Sequence, residues 1–392
     1  MADRTVARFA ASTELVHGPG TLGRLGAEVQ RLGGTRVLLV SDQGLARAGV
    51  TSRVADQLTD AGLPLECHLD VPLDPTFDDV DRVVAAARGH RADTVVSVGS
   101  GSVLAAGRGA AVAATHDGPS AELGGVDRAI RPPLLSICVP TTAGSGGEVS
   151  RQATITDPSG HKSGIQGRSV AARLAILDAE LLLSVPRRQA VASGVDALTH
   201  ALEAYVSRRA TPLTDALALS SFETIFRDLP AAVAEPRVEV LDRLLLASTM
   251  ANLACGNAGL GLVHGLNKGI TYLFHTGRYP ILSYGDLHSV LLPWVNRFNA
   301  PAAPERYARL ARLMGVEGGL DDLAVAEEGT RRLEAWLAAL GAPRRLPWSD
   351  CPPDDLDLVV GDVHGRAMAR DNPRASGADD LHQLVTSSIA GW

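Results

Sequence analysis

Thr94–Ala114 reads TVVSVGSGSVLAAGRGAAVAA. Its first five residues, Thr94–Val98, are a β-branched, nearly continuous apolar run of the kind that suits a parallel strand covered on both faces. The run passes straight into Gly99-Ser100-Gly101-Ser102 and then into a small-residue stretch, Val103–Ala114, that reads as a helix. Glycines in a strand-to-helix turn let a ligand approach the backbone. The first N–H groups of the helix then point outward, where the helix dipole favours a phosphate. Two glycines at such a turn serve packing equally well, and the GxGxxG spacing is absent, since position 104 is Leu.

The neighbouring sequence repeats the pattern. Thr35–Ser41, Leu134–Val139 and Leu174–Leu177 are further apolar runs, while Val50–Gly62 and Phe77–Arg91 have helical spacing, the latter started by Asp74-Pro75-Thr76. Strand–helix alternation predicts a doubly wound α/β domain with a Rossmann-like parallel sheet. Beyond Pro186 the texture changes to Ala- and Leu-rich segments of period near 3.6. Gln189–Ser207, Asp215–Phe226, Leu241–Asn257, Glu305–Met314 and Ala324–Leu340 all read as helices. The chain of 392 residues exceeds the size at which one core stops growing, so two domains are expected: α/β over 1–185 and all-helical over 186–392. An irregular stretch, His275–Leu287, interrupts the helical half and has the length of a functional loop.

Composition excludes several classes of function. The net charge of −7 argues against nucleic-acid binding, which needs a basic surplus. The four cysteines lie far apart and form no CxxC pair, so neither a disulfide framework nor a thiolate zinc site is expected. No apolar run is long enough for a membrane span, and the first residues lack the apolar core of a signal peptide, which reads as a cytoplasmic protein.

Three strand ends carry ligand-binding chemistry. Besides Gly99–Ser102, the loop Pro140-Thr141-Thr142-Ala143-Gly144-Ser145-Gly146-Gly147-Glu148 combines hydroxyls and glycines where open α/β sheets bind ligands. Asp42, just past the run Thr35–Ser41, is placed to take two ribose hydroxyls and to repel a 2′-phosphate, favouring NAD over NADP; it also reads as a helix or turn cap. In the helical half, Ala192–Ser207 (ASGVDALTHALEAYVS) sets Asp196 and His200 four apart, on one helix face and among apolar neighbours. His264 and His288 follow in similarly apolar surroundings. One carboxylate and three neutral imidazoles suit Fe(II) or Zn(II) with positions left open for a substrate oxygen. The residues alone leave a metal site and a set of structural histidines as equal readings.

These segments together resemble the iron-containing (group III) alcohol dehydrogenase family, related to glycerol dehydrogenase and dehydroquinate synthase. The matching stretches run from Gly18-Pro-Gly20 through Asp74-Pro75-Thr76, Gly99–Ser102, Pro140–Glu148 and Gly194-Val-Asp196-Ala-Leu-Thr-His200-Ala-Leu-Glu203-Ala-Tyr205 to Asn372-Pro373-Arg374. The resemblance implies an N-terminal dinucleotide-binding domain, a helical C-terminal domain and a cleft between them. It implies NAD(H) and one divalent metal, Fe(II) first and Zn(II) second, held by Asp196, His200, His264 and His288. On the cofactor side it implies Asp42, Asp74, Gly99, Ser100, Gly101, Ser102, Thr141, Thr142, Ser145, Gln152 and Lys162. The implied activity is interconversion of a small primary alcohol and its aldehyde, chiefly as aldehyde reduction, by a homodimer with neither nucleic-acid nor membrane partners.

The chain also departs from the family pattern. The glycine-rich turn GGGSxxDxxK is altered at Ser100, Ala105 and Arg108; Ser289 rather than Gly follows His288; and the interval between His264 and His288 is long. His275 in that insertion is a rival for the fourth ligand position, and His288 is preferred because Leu291-Leu292-Pro293 follows it. Lys268 stands where many relatives place a histidine that relays protons. Lys268 and His275 are therefore the catalytic candidates, and Lys268, with Arg278, also suits an anionic aldehyde. The alternatives are a metal-independent oxoacid reductase of the maleylacetate reductase type, a lyase of the dehydroquinate synthase type, and a cofactor-binding protein without activity.

Overall fold

The structure, a computed structural model, describes residues 7–392 except His275, Thr276, Arg278, Ile281, 318–320, Ser349, Asp350 and Gly365, with only the backbone of His364. The chain forms two compact units. One comprises Ala11–Pro186 and Pro236–Thr249; the other comprises Arg187–Glu235 and Met250–Trp392 with the N-terminal residues up to Ala10.

The first unit carries nine strands: β1 (Glu14–His17), β2 (Val37–Val40), β3 (Leu65–His68), β4 (Thr94–Gly99), β5 (Gly125–Val126), β6 (Leu135–Pro140), β7 (Gln152–Ala153), β8 (Ile165–Gln166) and β9 (Leu174–Leu177). Six of them form one sheet in the order β1-β9-β6-β4-β2-β3, with every pair parallel. β2, β4 and β9 are buried along their whole length, as their continuous or nearly continuous apolar runs require. Register pairs Val37 with Thr94 and Thr94 with Leu135, so the carboxyl ends of β2, β4 and β6 lie along one edge of the sheet. The chain leaves β2 to one side for β3 and to the other for β4. That reversal creates the crevice in which open α/β sheets bind ligands, and Asp42 and Gly99–Ser102 emerge there. β5, β8 and β7 make a separate small sheet.

β1 and β3 are edge strands with exposed, mixed-polarity residues, and for that reason they carry no apolar run that would reveal them in the sequence.

The second unit is helical. Its central helix, Arg187–Val206, is buried without a break from Gly194 to Val206 and so has no solvent face over that span. The Pro212–Ala234 helix runs well past the expected end at Phe226 and passes through Pro230. A proline inside a helix leaves the carbonyl four residues earlier without its partner. Here the Phe226 carbonyl accepts instead from the indole Nε1 of Trp336 at 3.0 Å. The Tyr284–Asn299 helix repeats the device: Pro293 frees the Ser289 carbonyl, which accepts from Trp392 Nε1 at 3.1 Å.

The irregular stretch is shorter than expected. The Tyr284–Asn299 helix begins inside it, capped by Ser283, whose hydroxyl accepts from Asp286 N at 3.2 Å. Gly285, which read as a loop residue, serves packing. A Cβ at this position would fall inside the contact radius of the Ala192 carbonyl oxygen, so glycine is what lets this helix close on the Arg187–Val206 helix. Among the described residues no helix is long and apolar enough to cross a membrane.

Candidate metal centre

Asp196, His200 and Glu203 occupy one face of the central helix at positions i, i+4 and i+7, all buried. His264 lies in the first turn of the Leu262–Phe274 helix, and His288 lies one turn into the Tyr284–Asn299 helix beyond the close approach at Gly285. Packing these helices brings four side chains together. Asp196 Oδ1 is 3.0 Å from His288 Nδ1, 3.8 Å from His264 Nε2 and 4.0 Å from His200 Nε2. The His264 ring is 4.6 Å from that of His200 and 4.2 Å from that of His288, centroid to centroid.

The chemistry of this cluster is unfinished by protein atoms alone. Asp196 Oδ1, His264 Nε2 and both ring nitrogens of His288 are buried without a hydrogen-bond partner. The 3.0 Å approach of Asp196 to His288 thus lacks hydrogen-bond alignment. Burying such atoms unsatisfied is costly. Converging lone pairs are instead what a shared cation needs, and one donor atom each from Asp196, His264 and His288 lies within 4.8 Å of the others. Burial raises the Asp196 carboxyl, but the imidazoles, His200 foremost, outweigh it and hold the group below the usual carboxylate range. Burial and the neighbouring rings keep His264 well below an ordinary histidine, hence neutral. An ionised carboxylate beside a neutral imidazole is the protonation state that metal ligands require.

Glu203 completes the arrangement and was missed as a functional residue, although it stands in the quoted motif. Its Oε2 accepts from His264 Nδ1 at 2.7 Å and its Oε1 from Val263 N at 2.7 Å. A proton held on Nδ1 leaves the Nε2 lone pair facing Asp196. Asn372 braces the same helix start: its Oδ1 accepts from Leu262 N at 3.3 Å and from Asn299 Nδ2 at 2.9 Å. The available signal was a glutamate flanked by Ala201, Leu202, Ala204 and Tyr205, seven residues after the first ligand candidate.

Lys268, one turn beyond His264 on the same helix, is only 8% exposed, and its positive charge contributes to the depression of His264. Ser289 has a structural reason to replace glycine: its hydroxyl donates to the Asp286 and Pro343 carbonyls at 2.7 and 2.9 Å. His275 and Arg278 lie outside the described residues.

The cofactor candidates lie in the α/β unit. Ser100 is the N-cap of the Gly101–Ala113 helix, yet its side chain makes no capping bond, so the first N–H groups are not satisfied by it. A Cβ on Gly101 would meet Ser145 at 2.9 Å, showing how closely the Pro140–Glu148 loop covers this turn. Thr141 and Thr142 are buried, and Thr141 N donates to Gly99 O at 3.1 Å. Ser102 Oγ accepts from Asp74 N at 3.3 Å, and Asp74 in turn pairs with the buried Lys162 Nζ at 3.0 Å. Lys162 also donates to Thr156 Oγ1 at 2.7 Å; burial lowers its affinity for the proton, with Asp74 opposing. Asp42 caps the Gln43–Arg47 helix, its Oδ1 accepting from Leu45 N at 2.9 Å. Gln152 lies in β7, and its carbonyl takes a bond from Arg108 Nη2 at 3.0 Å. Arg108, which departs from the family's lysine, is a buried strut: it also reaches the carbonyls of Leu104, Ser150 and Val170.

Comparison with known proteins agrees along almost the whole chain. Residues 12–179 match the family description "Iron-containing alcohol dehydrogenase", and residues 190–389 match "Fe-containing alcohol dehydrogenase family, C-terminal". The chain is 30% identical to the NAD-dependent methanol dehydrogenase of Bacillus methanolicus, covering 95% of this chain and 97% of that one. It is 28% identical to the sulfoacetaldehyde reductase of Bilophila wadsworthia, covering 96% and 97%. A solved 1,3-propanediol oxidoreductase superposes with a TM-score of 0.93 at 30% identity, covering 98% of this chain and all of that one.

Proposed function

The chain belongs to the iron-containing alcohol dehydrogenase family, and on that premise we propose that it is a metal-dependent, NAD(H)-linked oxidoreductase interconverting a small primary alcohol and its aldehyde, chiefly as an aldehyde reductase. The observation that carries this reading is the set of buried, partnerless ligand atoms on Asp196, His264 and His288. His200 is the fourth ligand, its Nε2 already 4.0 Å from Asp196. A mixed carboxylate and imidazole donor set suits Fe(II), with Zn(II) as the second choice. When bound, the ion supplies Lewis acidity and the nicotinamide supplies the hydride chemistry.

The chain's own groups prepare both. Glu203 orients His264, and the helix packing at Gly285 sets His288 opposite Asp196. On the cofactor side, the N-terminus of the Gly101–Ala113 helix receives the pyrophosphate, and Thr141, Thr142, Ser145, Gln152, Lys162 and Asp74 line the remainder. Asp42 keeps one carboxylate oxygen for the ribose while the other caps its helix, which disfavours a 2′-phosphate and selects NAD(H). Lys268 Nζ, buried one turn from His264, holds a proton for the reduced substrate oxygen, and His275 is the second candidate for that transfer.

The test is metal content and aldehyde-dependent NADH oxidation, measured together in wild type and Asp196→Ala. The reading expects one ion per chain and turnover in the wild type, and neither in the variant, with both proteins folded by circular dichroism. Undiminished turnover in a metal-free variant would refute it.

A further inference from the structure

We infer that Asp371–Arg374 is a strap that holds the three ligand-bearing helices in register, and that Asn372 within it is a positioning residue for the metal ligand His264. The inference rests on the metal-dependent reading above and adds the element that fixes its geometry.

The four ligands come from three helices, and the strap bonds to one end of each. Just past the central helix, Arg208 N donates to the Asp371 carbonyl at 2.9 Å, and Arg209 Nη1 pairs with Asp371 Oδ2 at 3.2 Å. At the start of the Leu262–Phe274 helix, Leu262 N donates to Asn372 Oδ1 at 3.3 Å. At the end of the Tyr284–Asn299 helix, Asn299 and Asn372 exchange two amide bonds, Nδ2 to Oδ1 in each direction, at 2.9 and 2.7 Å. Arg374 strengthens that tie: its Nη1 donates to the Phe298 carbonyl at 2.9 Å, and its guanidinium lies 4.0 Å over the Phe298 ring. Asn372 Nδ2 also donates to the Arg374 carbonyl at 2.7 Å, which fixes the turn of the strap itself.

Asn372, 1% exposed, acts most directly on His264. The first N–H groups of a helix have no partner within it. Here two of them go to side chains from distant segments, Leu262 N to Asn372 and Val263 N to Glu203. Gly261 makes room for both, since a Cβ there would come within 2.9 Å of Asn372 Oδ1 and of Glu203 Oε1. His264 follows Leu262 by two residues, whereas Arg208 follows His200 by eight and Asn299 follows His288 by eleven. The strap therefore sets His264 against a frame made by the other two helices. Removing the Asn372 amide leaves the buried Leu262 N without an acceptor and loosens the turn that carries the His264 ring.

The experiment loads metal-stripped wild type, Asn372→Ala, Asn299→Ala and Trp336→Phe with Co(II), a coloured probe ion. It reads the visible ligand-field spectrum and the affinity by chelator competition, at a temperature where circular dichroism shows each protein folded. Trp336→Phe is the stability control, because its lost bond to the Phe226 carbonyl involves no ligand-bearing helix. The wild type is expected to take one Co(II) per chain. Asn372→Ala should shift the bands and weaken binding by about 10–100-fold, and Asn299→Ala, which breaks the amide pair from the other side, should shift them in the same direction. Trp336→Phe should unfold at a lower temperature with the spectrum and affinity of the wild type. Should Asn372→Ala not fold, Asn299→Ala decides by the same criteria. Wild-type bands and affinity in the Asn372 and Asn299 variants, however destabilised they are, would reduce the strap to a structural brace and overturn the inference. A wild type that binds no Co(II) would instead overturn the metal-dependent reading, and the inference with it.

Discussion

His264 Nδ1 donates to Glu203 Oε2 at 2.7 Å, and this bond decides which ring nitrogen is left to face Asp196. The same carboxylate accepts from Val263 N through its other oxygen, so its two oxygens serve two donors. Glu203→Gln offers one acceptor where two are needed and sets an amide N–H against one of the donors. We expect metal affinity to fall about 10–100-fold, read by competition with a chelator, and metal-free stability to fall by about 1–3 kcal/mol. Affinity equal to wild type would show that the bond positions nothing.

Gly285 predicts a coupled loss of stability and metal. A methyl group at this position runs into the Ala192 carbonyl oxygen, and backbone on both sides leaves nothing flexible to move. Gly285→Ala should destabilise the protein by about 1–3 kcal/mol, and because His288 rides on the displaced helix, bound metal should fall with it. Thermal unfolding and elemental analysis of the same sample check both halves.

Trp336 predicts an effect on stability without one on chemistry. Its indole N–H satisfies the Phe226 carbonyl that Pro230 leaves without a helical partner. Trp336→Phe keeps an aromatic ring against Phe226 while orphaning the carbonyl, at a cost of about 1–3 kcal/mol. In a Pro230→Ala background the helix supplies its own N–H, so the same substitution should cost clearly less. Equal costs in the two backgrounds, measured by denaturant unfolding, would show that the indole bond is not what carries the helix through the proline.

Gly101 predicts a defect confined to the cofactor. The glycine lies 2.9 Å from Ser145 when given a Cβ, so Gly101→Val pushes the Pro140–Glu148 loop away from the turn. NADH affinity, followed by fluorescence titration, should fall at least tenfold while metal content stays at the wild-type level. Unchanged NADH affinity would move the pyrophosphate away from this helix start.

What the sequence made legible follows from burial. β2, β4, β6 and β9 were readable because strands covered on both faces are largely apolar, and Asp196 and His200 stood out as polar residues four apart among small and apolar neighbours. β1 and β3 escaped because edge strands need no such run. Gly285 was misread because a glycine that permits close packing looks the same, in one dimension, as a glycine in a loop. The continuation of two helices through Pro230 and Pro293 was illegible because the compensating indoles come from Trp336 and Trp392, far along the chain. Arg108 read as a departure from the cofactor turn, yet its partners are backbone carbonyls, which leave no trace in residue identity.

On this reading aldehyde reduction depends on an ion held by Asp196 and the three histidines. Anaerobic titration of metal-stripped protein with Fe(II), following NADH oxidation in the presence of an aldehyde, tests it most directly. The rate should be negligible without metal and should rise to a break at one equivalent per chain. A stripped protein as fast as the reloaded one would contradict it.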